Sequence, residues 1–151
     1  MAKTIPLTQG KVAIVDDCDY AELSKYKWCF HKRYAIRNVK ANGKCKQVYM
    51  HRVIAGTPDG METDHVNGDS LDNRRCNLRW ATTAQNQANR RIDGDNRSGY
   101  KGVYFHARSG KWMARLSDRY LGIHETPQGA AVAYNRAAQS VYGEYARINP
   151  I

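Results

Sequence analysis

Apolar and polar positions alternate with a period of two along much of this chain, which is the pattern of half-buried strands. Ile5-Pro-Leu-Thr-Gln-Gly-Lys-Val-Ala-Ile-Val15 predicts two short strands around a Gln-Gly turn. Asp16-Asp-Cys-Asp19 supplies caps for a helix through Tyr20–Leu23. Tyr26–Phe30 and Tyr34–Val39 alternate again, and Ala41-Asn-Gly-Lys44 makes a hairpin turn into Gln47–Met50. Met50–Ala55 fits one or two helical turns, stopped by Gly56-Thr57-Pro58. A strand is expected at Met61–His65 and its partner at Asn77–Trp80, with Asn67–Arg75 as the connection. Thr82-Thr-Ala-Gln85 is a capping box that opens a helix through Arg91.

After a turn-rich stretch, 93–99, the pattern changes to three strands followed by a helix. The strands are Tyr100–His106, Lys111–Leu116 and Arg119–Ile123, joined by turns at Arg108-Ser-Gly110 and Ser117-Asp118. Thr126-Pro127 is an N-cap followed by proline, and apolar residues recur at Ala130, Ala131, Tyr134, Ala137, Ala138 and Val141 before Gly143. Trp112 is read as core between sheet and helix.

Composition adds a class of partner rather than a fold. The 151 residues carry 24 Lys plus Arg against 14 Asp plus Glu, a formal net charge of +10, which favours a polyanion such as nucleic acid. Leu23–Pro58 has no acidic residue and nine basic ones, so its sheet has either a solvated basic face or one turned toward DNA. Thr63–Asn96 is balanced, five against five, and Arg97–Ile151 returns to eight basic against three acidic. Carboxylates therefore concentrate between two basic flanks. The four cysteines, Cys18, Cys29, Cys45 and Cys76, form no C-x-x-C pair. They read as free thiols of a reducing compartment, and no Cys/His set has structural-zinc spacing. The N-terminus is not a signal-peptide pattern and no apolar run reaches membrane-spanning length. The expected protein is soluble and intracellular, cytoplasmic, with no membrane or disulfide partner.

The candidate chemistry lies in Asp64-His-Val-Asn-Gly-Asp-Ser-Leu-Asp-Asn73, followed by Asn77-Leu-Arg-Trp80 and Gln85-Asn86. Carboxylate and amide oxygens suit a hard cation, Mg²⁺ or Mn²⁺, and a neutral imidazole suits removal of a proton from water. Arg79 and Arg90 are nearby cations able to hold a phosphate. His51 reads first as a packed or capping histidine, and second as a phosphate contact.

Residues 5–91 resemble HNH homing endonucleases of phage introns, on the ordered pattern Asp-His, Asn-Gly-Asp, Asp-Asn, Asn-Leu-Arg-Trp and a helical Asn. The resemblance implies a ββα-metal site with Asp64 and Asn86 as ligands of one divalent ion and His65 as general base. It makes Asn77 the residue that pins the loop and orients His65. An Asn stands where the classical form has a terminal His, leaving two protein ligands. Residues 100–151 resemble the ethylene-response-factor (APETALA-type) DNA-binding domain through Tyr-Lys-Gly-Val, Gly-Lys-Trp, Leu-Gly, Ala-Ala-x-Ala-Tyr-Asn-Arg-Ala-Ala and Ala-Arg-Ile-Asn-Pro. Its sheet implies DNA contacts at Lys101, Tyr104, His106, Lys111, Arg115 and Tyr120, with Arg108 and Arg119 beside them.

The expected fold is α+β. It comprises an HNH domain over 1–93 (a basic β-rich lead, 1–56, and a ββα core, 57–93), a linker at 94–99, and a three-stranded antiparallel sheet packed on one helix over 100–151. The expected activity is metal-dependent, site-specific cleavage of double-stranded DNA by a monomer, with His65, Asn77 and Arg79 as the catalytic set. The alternative is a sequence-specific DNA-binding regulator whose HNH part is an inactive scaffold.

Overall fold

The computed structural model describes residues 1–92 and 94–151. It is a mixed α/β chain with antiparallel sheets and four α-helices, in two compact units, Met1–Thr83 and Ala84–Ile151. Asp93, the last residue of the expected first domain, lies outside the described residues.

In the first unit, β1 (Ala2–Pro6) and β2 (Val12–Asp16) form a hairpin whose register runs from Ala2 opposite Asp16 to Pro6 opposite Val12. Helix α1 (Asp17–Leu23) follows at once. The next expected strand is shorter than its alternation implied. Only Cys29–His31 (β3) pairs, because Trp28 is drawn into the core and its indole N–H donates to the Leu23 carbonyl at 2.8 Å. β4 (Tyr34–Ala41) and β5 (Lys44–Tyr49) complete a sheet in the order β3-β4-β5, with Asn42 and Gly43 at positive φ in the turn. α2 (Met50–Ala55) is ended by Gly56 in the left-handed conformation. One core collects Ile5, Leu7, Ala13, Val15, Leu23, Trp28, Ala35, Met50 and Ile54. Met50 is fully buried, so truncating it to Ala would cost about 2–5 kcal/mol.

The ββ hairpin, β6 (Glu62–His65) and β7 (Leu78–Ala81), pairs Glu62 with Ala81, Thr63 with Trp80, Asp64 with Arg79 and His65 with Leu78. Its long connection is fixed to the core by backbone bonds. Ile14 N–H donates to the Leu71 carbonyl at 2.8 Å, and Asn73 N–H donates to the Ile14 carbonyl at 2.7 Å. Arg75 adds a fork onto Asp19 at 2.7 and 2.9 Å, and its N–H meets Asp16 at 2.8 Å. The open edge of β2 thus templates the loop that carries the candidate site.

The second unit begins in α3 (Thr83–Asn89), which stops two residues earlier than its sequence pattern implied. Its last carbonyls are taken by side chains of the same unit, described below. Asn96 accepts from the N–H groups of Ser98 and Gly99, so the 94–99 stretch is a folded turn. β8 (Val103–His106), β9 (Lys111–Leu116) and β10 (Arg119–His124) form a sheet in the order β10-β9-β8. α4 (Pro127–Tyr142) starts at Thr126, whose side chain accepts from Gly129 N–H at 3.1 Å. Ala130, Ala131, Tyr134 and Ala138 of α4 meet Val103, Ala114 and Leu116 in the core. Trp112 packs on that core, half-buried and edge-on to Phe105, as its position implied. Gly102 has φ +73°, and a Cβ there would stand 2.2 Å from the Tyr134 ring and 2.5 Å from the Arg115 carbonyl oxygen. Only glycine fits. No described helix is long and apolar enough to cross a membrane, and all four cysteines are free.

Candidate active site

Directly paired residues of an antiparallel hairpin share a face, so Asp64 and Arg79 stand side by side. Arg79 Nε donates to Asp64 Oδ2 at 2.8 Å, with the carboxylate almost fully buried. The next residue, His65, is also buried, at 6 % exposure. Its Nε2 lies 3.1 Å from Asn73 Oδ1. Asn73 is fully buried and its amide nitrogen faces the Leu71 carbonyl and the Met50 sulfur, which leaves the oxygen toward the imidazole. An amide oxygen only accepts, so Nε2 carries the ring proton and Nδ1 keeps the lone pair. Burial is the largest influence on this imidazole and lowers its pKa from 6.5. The Asn73 bond and the fields of Asp64, Asp69 and Asp72 act the other way. The net result is a ring that stays neutral at pH 7.

Asn77, expected to pin the loop and orient His65, has its side chain bonded to Asn67 and to the Asp72 carbonyl. Its Oδ1 accepts from Asn67 N–H at 2.9 Å, and its amide donates to Asn67 Oδ1 at 3.0 Å and to the Asp72 carbonyl at 2.7 Å. The asparagine bonded to the His65 ring is Asn73. Three asparagines surround this loop, and sequence spacing alone does not say which one reaches the ring. Asp72 is fixed by a two-pronged Arg74 contact at 2.6 and 2.7 Å, with Asn67 donating at 2.9 Å. The Arg74 hydrogen bonds hold its carboxyl below the usual range. Asp72 is therefore already committed to the loop.

His51, read as packed, is packed. It is 7 % exposed, sits edge-on to His65 with ring centroids 5.1 Å apart, and touches Tyr34 and Tyr49. Burial pushes its pKa down to about 3, with the fields of His65 and Arg52 adding to the effect. It stays neutral and adds no charge beside His65. Beside the hairpin, an open hollow of about 310 Å³ is lined by Ile54, Ala55, Arg75, Leu78, Arg79 and Trp80. Arg79 thus reaches a surface concavity as well as Asp64.

No three His, Cys, Asp or Glu side chains converge as a metal cage among the described residues. A buried carboxylate with one amide oxygen as second donor does suit a hard, mostly hydrated divalent cation, which keeps several waters and takes few protein ligands. Asn86 lies half-buried on α3, in the second unit.

In that unit the strand register sorts the expected DNA contacts by face. Tyr104 opposes Met113, His106 opposes Lys111, and Tyr120 opposes Arg115. Tyr104, His106, Lys111, Arg115 and Tyr120 therefore share the face opposite the buried Val103, Ala114 and Leu116. Tyr104 and Tyr120 are more than half exposed. Arg119 pairs with buried Leu116, on the α4 side, and Arg108 lies in the β8–β9 turn. Lys111 also meets Glu125 at 2.5 Å. Lys101 is placed differently, because its ammonium donates to main-chain carbonyls at the end of α3.

Residues 48–88 match the sequence model of the HNH endonuclease family. The chain is also 26 % identical over 145 residues, covering 95 % of its length and 77 % of the relative's, to an uncharacterized HNH endonuclease, L560, of Acanthamoeba polyphaga mimivirus. No solved structure matches. The family match supports a metal-dependent nuclease acting on DNA.

Proposed function

We propose that the protein is a site-specific, homing-type DNA endonuclease that hydrolyses one phosphodiester per event, with His65 as general base. The observation that carries this reading is a buried, neutral imidazole beside Asp64, with its Nε2 proton held by Asn73. Nδ1 is left as the basic atom, suited to take a proton from the attacking water. A divalent ion, Mg²⁺ or Mn²⁺, held by Asp64 and Asn86 would neutralise charge at the scissile phosphate and the leaving 3′ oxygen. The Asn86 assignment rests on the order of the motif. Arg79 keeps the Asp64 carboxylate oriented and supplies a cation for substrate positioning. The expected products carry 5′ phosphate and 3′ hydroxyl.

Target recognition is assigned to the outward face of β8–β10. Its interleaved Tyr, His, Lys and Arg suit phosphate and base-edge contacts in a major groove. A single base and a single ion serve one strand, so the protein is read as a monomer that nicks. The test is supercoiled plasmid bearing one target, with Mg²⁺ or Mn²⁺ and with chelator. Metal-dependent accumulation of open circle is expected. Direct conversion to linear DNA would overturn the nicking monomer, and no cleavage with any divalent ion would leave a DNA-binding regulator.

A further inference from the structure

An α-helix leaves its last carbonyls without intrahelical partners, and those of α3 are met by two cationic side chains from far along the chain. Lys101 Nζ donates to the carbonyls of Gln87, Ala88 and Arg90 at 3.1, 2.5 and 2.8 Å. Three bonds match the three N–H donors of an ammonium group. Arg147 Nε donates to the Asn89 carbonyl at 2.7 Å, its Nη2 approaches Asn89 Oδ1 at 3.3 Å, and its backbone N–H reaches the Ala88 carbonyl at 3.2 Å. Both charges stand at the negative end of the helix, where cations are stabilising.

The clamp is itself held. Lys101 N–H donates to Asn149 Oδ1 at 2.7 Å, and Asn149 Nδ2 returns a bond to the Lys101 carbonyl at 3.0 Å. Asn149, 7 % exposed, exchanges a second pair of bonds with Asn135 of α4 at 2.8 and 3.0 Å. A continuous relay thus runs from α4 through Asn149 and Lys101 to the end of α3. A helix of seven residues is marginal by itself, so its last turn depends on these end contacts. Asn86 directly precedes the clamped carbonyls, which belong to residues 87–90.

We propose that Lys101 and Arg147 are positioning residues for Asn86. By fixing the end of α3 they set how firmly this side chain holds a divalent ion, making the C-terminal module part of the metal site's support as well as a DNA reader. The inference rests on Asn86 being a metal ligand. It also moves Lys101 from the expected DNA contacts to the scaffold.

The test compares the full chain with its Lys101→Met variant in two measurements. One is Mn²⁺ titration followed by the electron paramagnetic resonance of the free ion. The other is affinity for a target duplex in EDTA. Supporting shells of metal ligands typically matter by 10–100-fold in affinity. Lys101→Met should weaken Mn²⁺ binding by about tenfold, leave duplex affinity in EDTA unchanged, and be largely rescued by Lys101→Arg. Unchanged Mn²⁺ affinity would overturn the proposal, and a loss confined to duplex affinity would return Lys101 to the DNA contacts. Should Lys101→Met fail to fold, Asn149→Ala removes the tether while keeping both charges. It must then show the same weakening for the proposal to survive. Lys101-dependent Mn²⁺ binding in a protein that cuts no DNA would support this inference and sink the nuclease reading. A wild-type chain that binds no Mn²⁺ would overturn the Asn86 assignment and this inference together.

Discussion

Asn73→Ala isolates the orientation of the general base from the base itself. Asn73 Oδ1 is the acceptor 3.1 Å from His65 Nε2, in a fully buried position. Removing it takes away a buried acceptor of the Nε2 proton, a loss of about 1–3 kcal/mol. At about 1.4 kcal/mol per factor of ten, that corresponds to roughly a 5- to 150-fold fall in the single-turnover cleavage rate. The fall comes from rings that place their proton on Nδ1, where the lone pair is needed. Duplex affinity should be unchanged. Thermal stability should drop as well, since the Asn73 amide also faces Leu71 and Met50, so rates are compared well below the melting temperature. Asn73→Asp separates the two effects. It keeps an acceptor of the same size but adds a charge beside the imidazole, which raises the His65 pKa and moves the acid limb of the pH–rate profile to higher pH. Wild-type rates for Asn73→Ala, together with an unshifted profile for Asn73→Asp, would refute the reasoning.

Arg115 is exposed on the outward sheet face beside Tyr120. Arg115→Ala should weaken binding to the preferred site by about 1–3 kcal/mol more than to random DNA, and equal losses in competition binding would remove it from base readout. His51 has a folded-state pKa near 3 against an ordinary 6.5, so the unfolded chain binds its proton more readily. Its contribution to stability is complete above about 6.5 and is lost as pH falls toward about 3, with a slope of up to about 1.4 kcal/mol per pH unit. His65 is displaced in the same direction. Denaturant midpoints between pH 7 and pH 4 should therefore fall less in His51→Phe than in wild type, and parallel curves would contradict the assignment.

The strands, the hairpin turn at Asn42-Gly43 and the β6–loop–β7 order were legible because periodicity and turn chemistry are local. Trp112 as core and His51 as packed were also readable, since both follow from residue type and neighbours. The shortened β3 was not, because Trp28 is pulled from the strand by a core that forms only in three dimensions. Asn73 was written in the motif, yet its role depends on how Ile14 grips the loop on either side of Asp72. The surroundings of Lys101 were hidden for a similar reason. The resemblance implies a DNA contact at Lys101, and nothing local reveals that its backbone bonds Asn149, 48 residues later, and its ammonium meets the end of a helix.

Single-turnover nicking of plasmid by His65→Ala in Mg²⁺ or Mn²⁺ tests whether His65 performs the proton transfer in a metal-dependent cleavage. A rate about 10²–10⁴-fold below wild type is expected, at unchanged affinity for target DNA. A variant that nicks at the wild-type rate would contradict it.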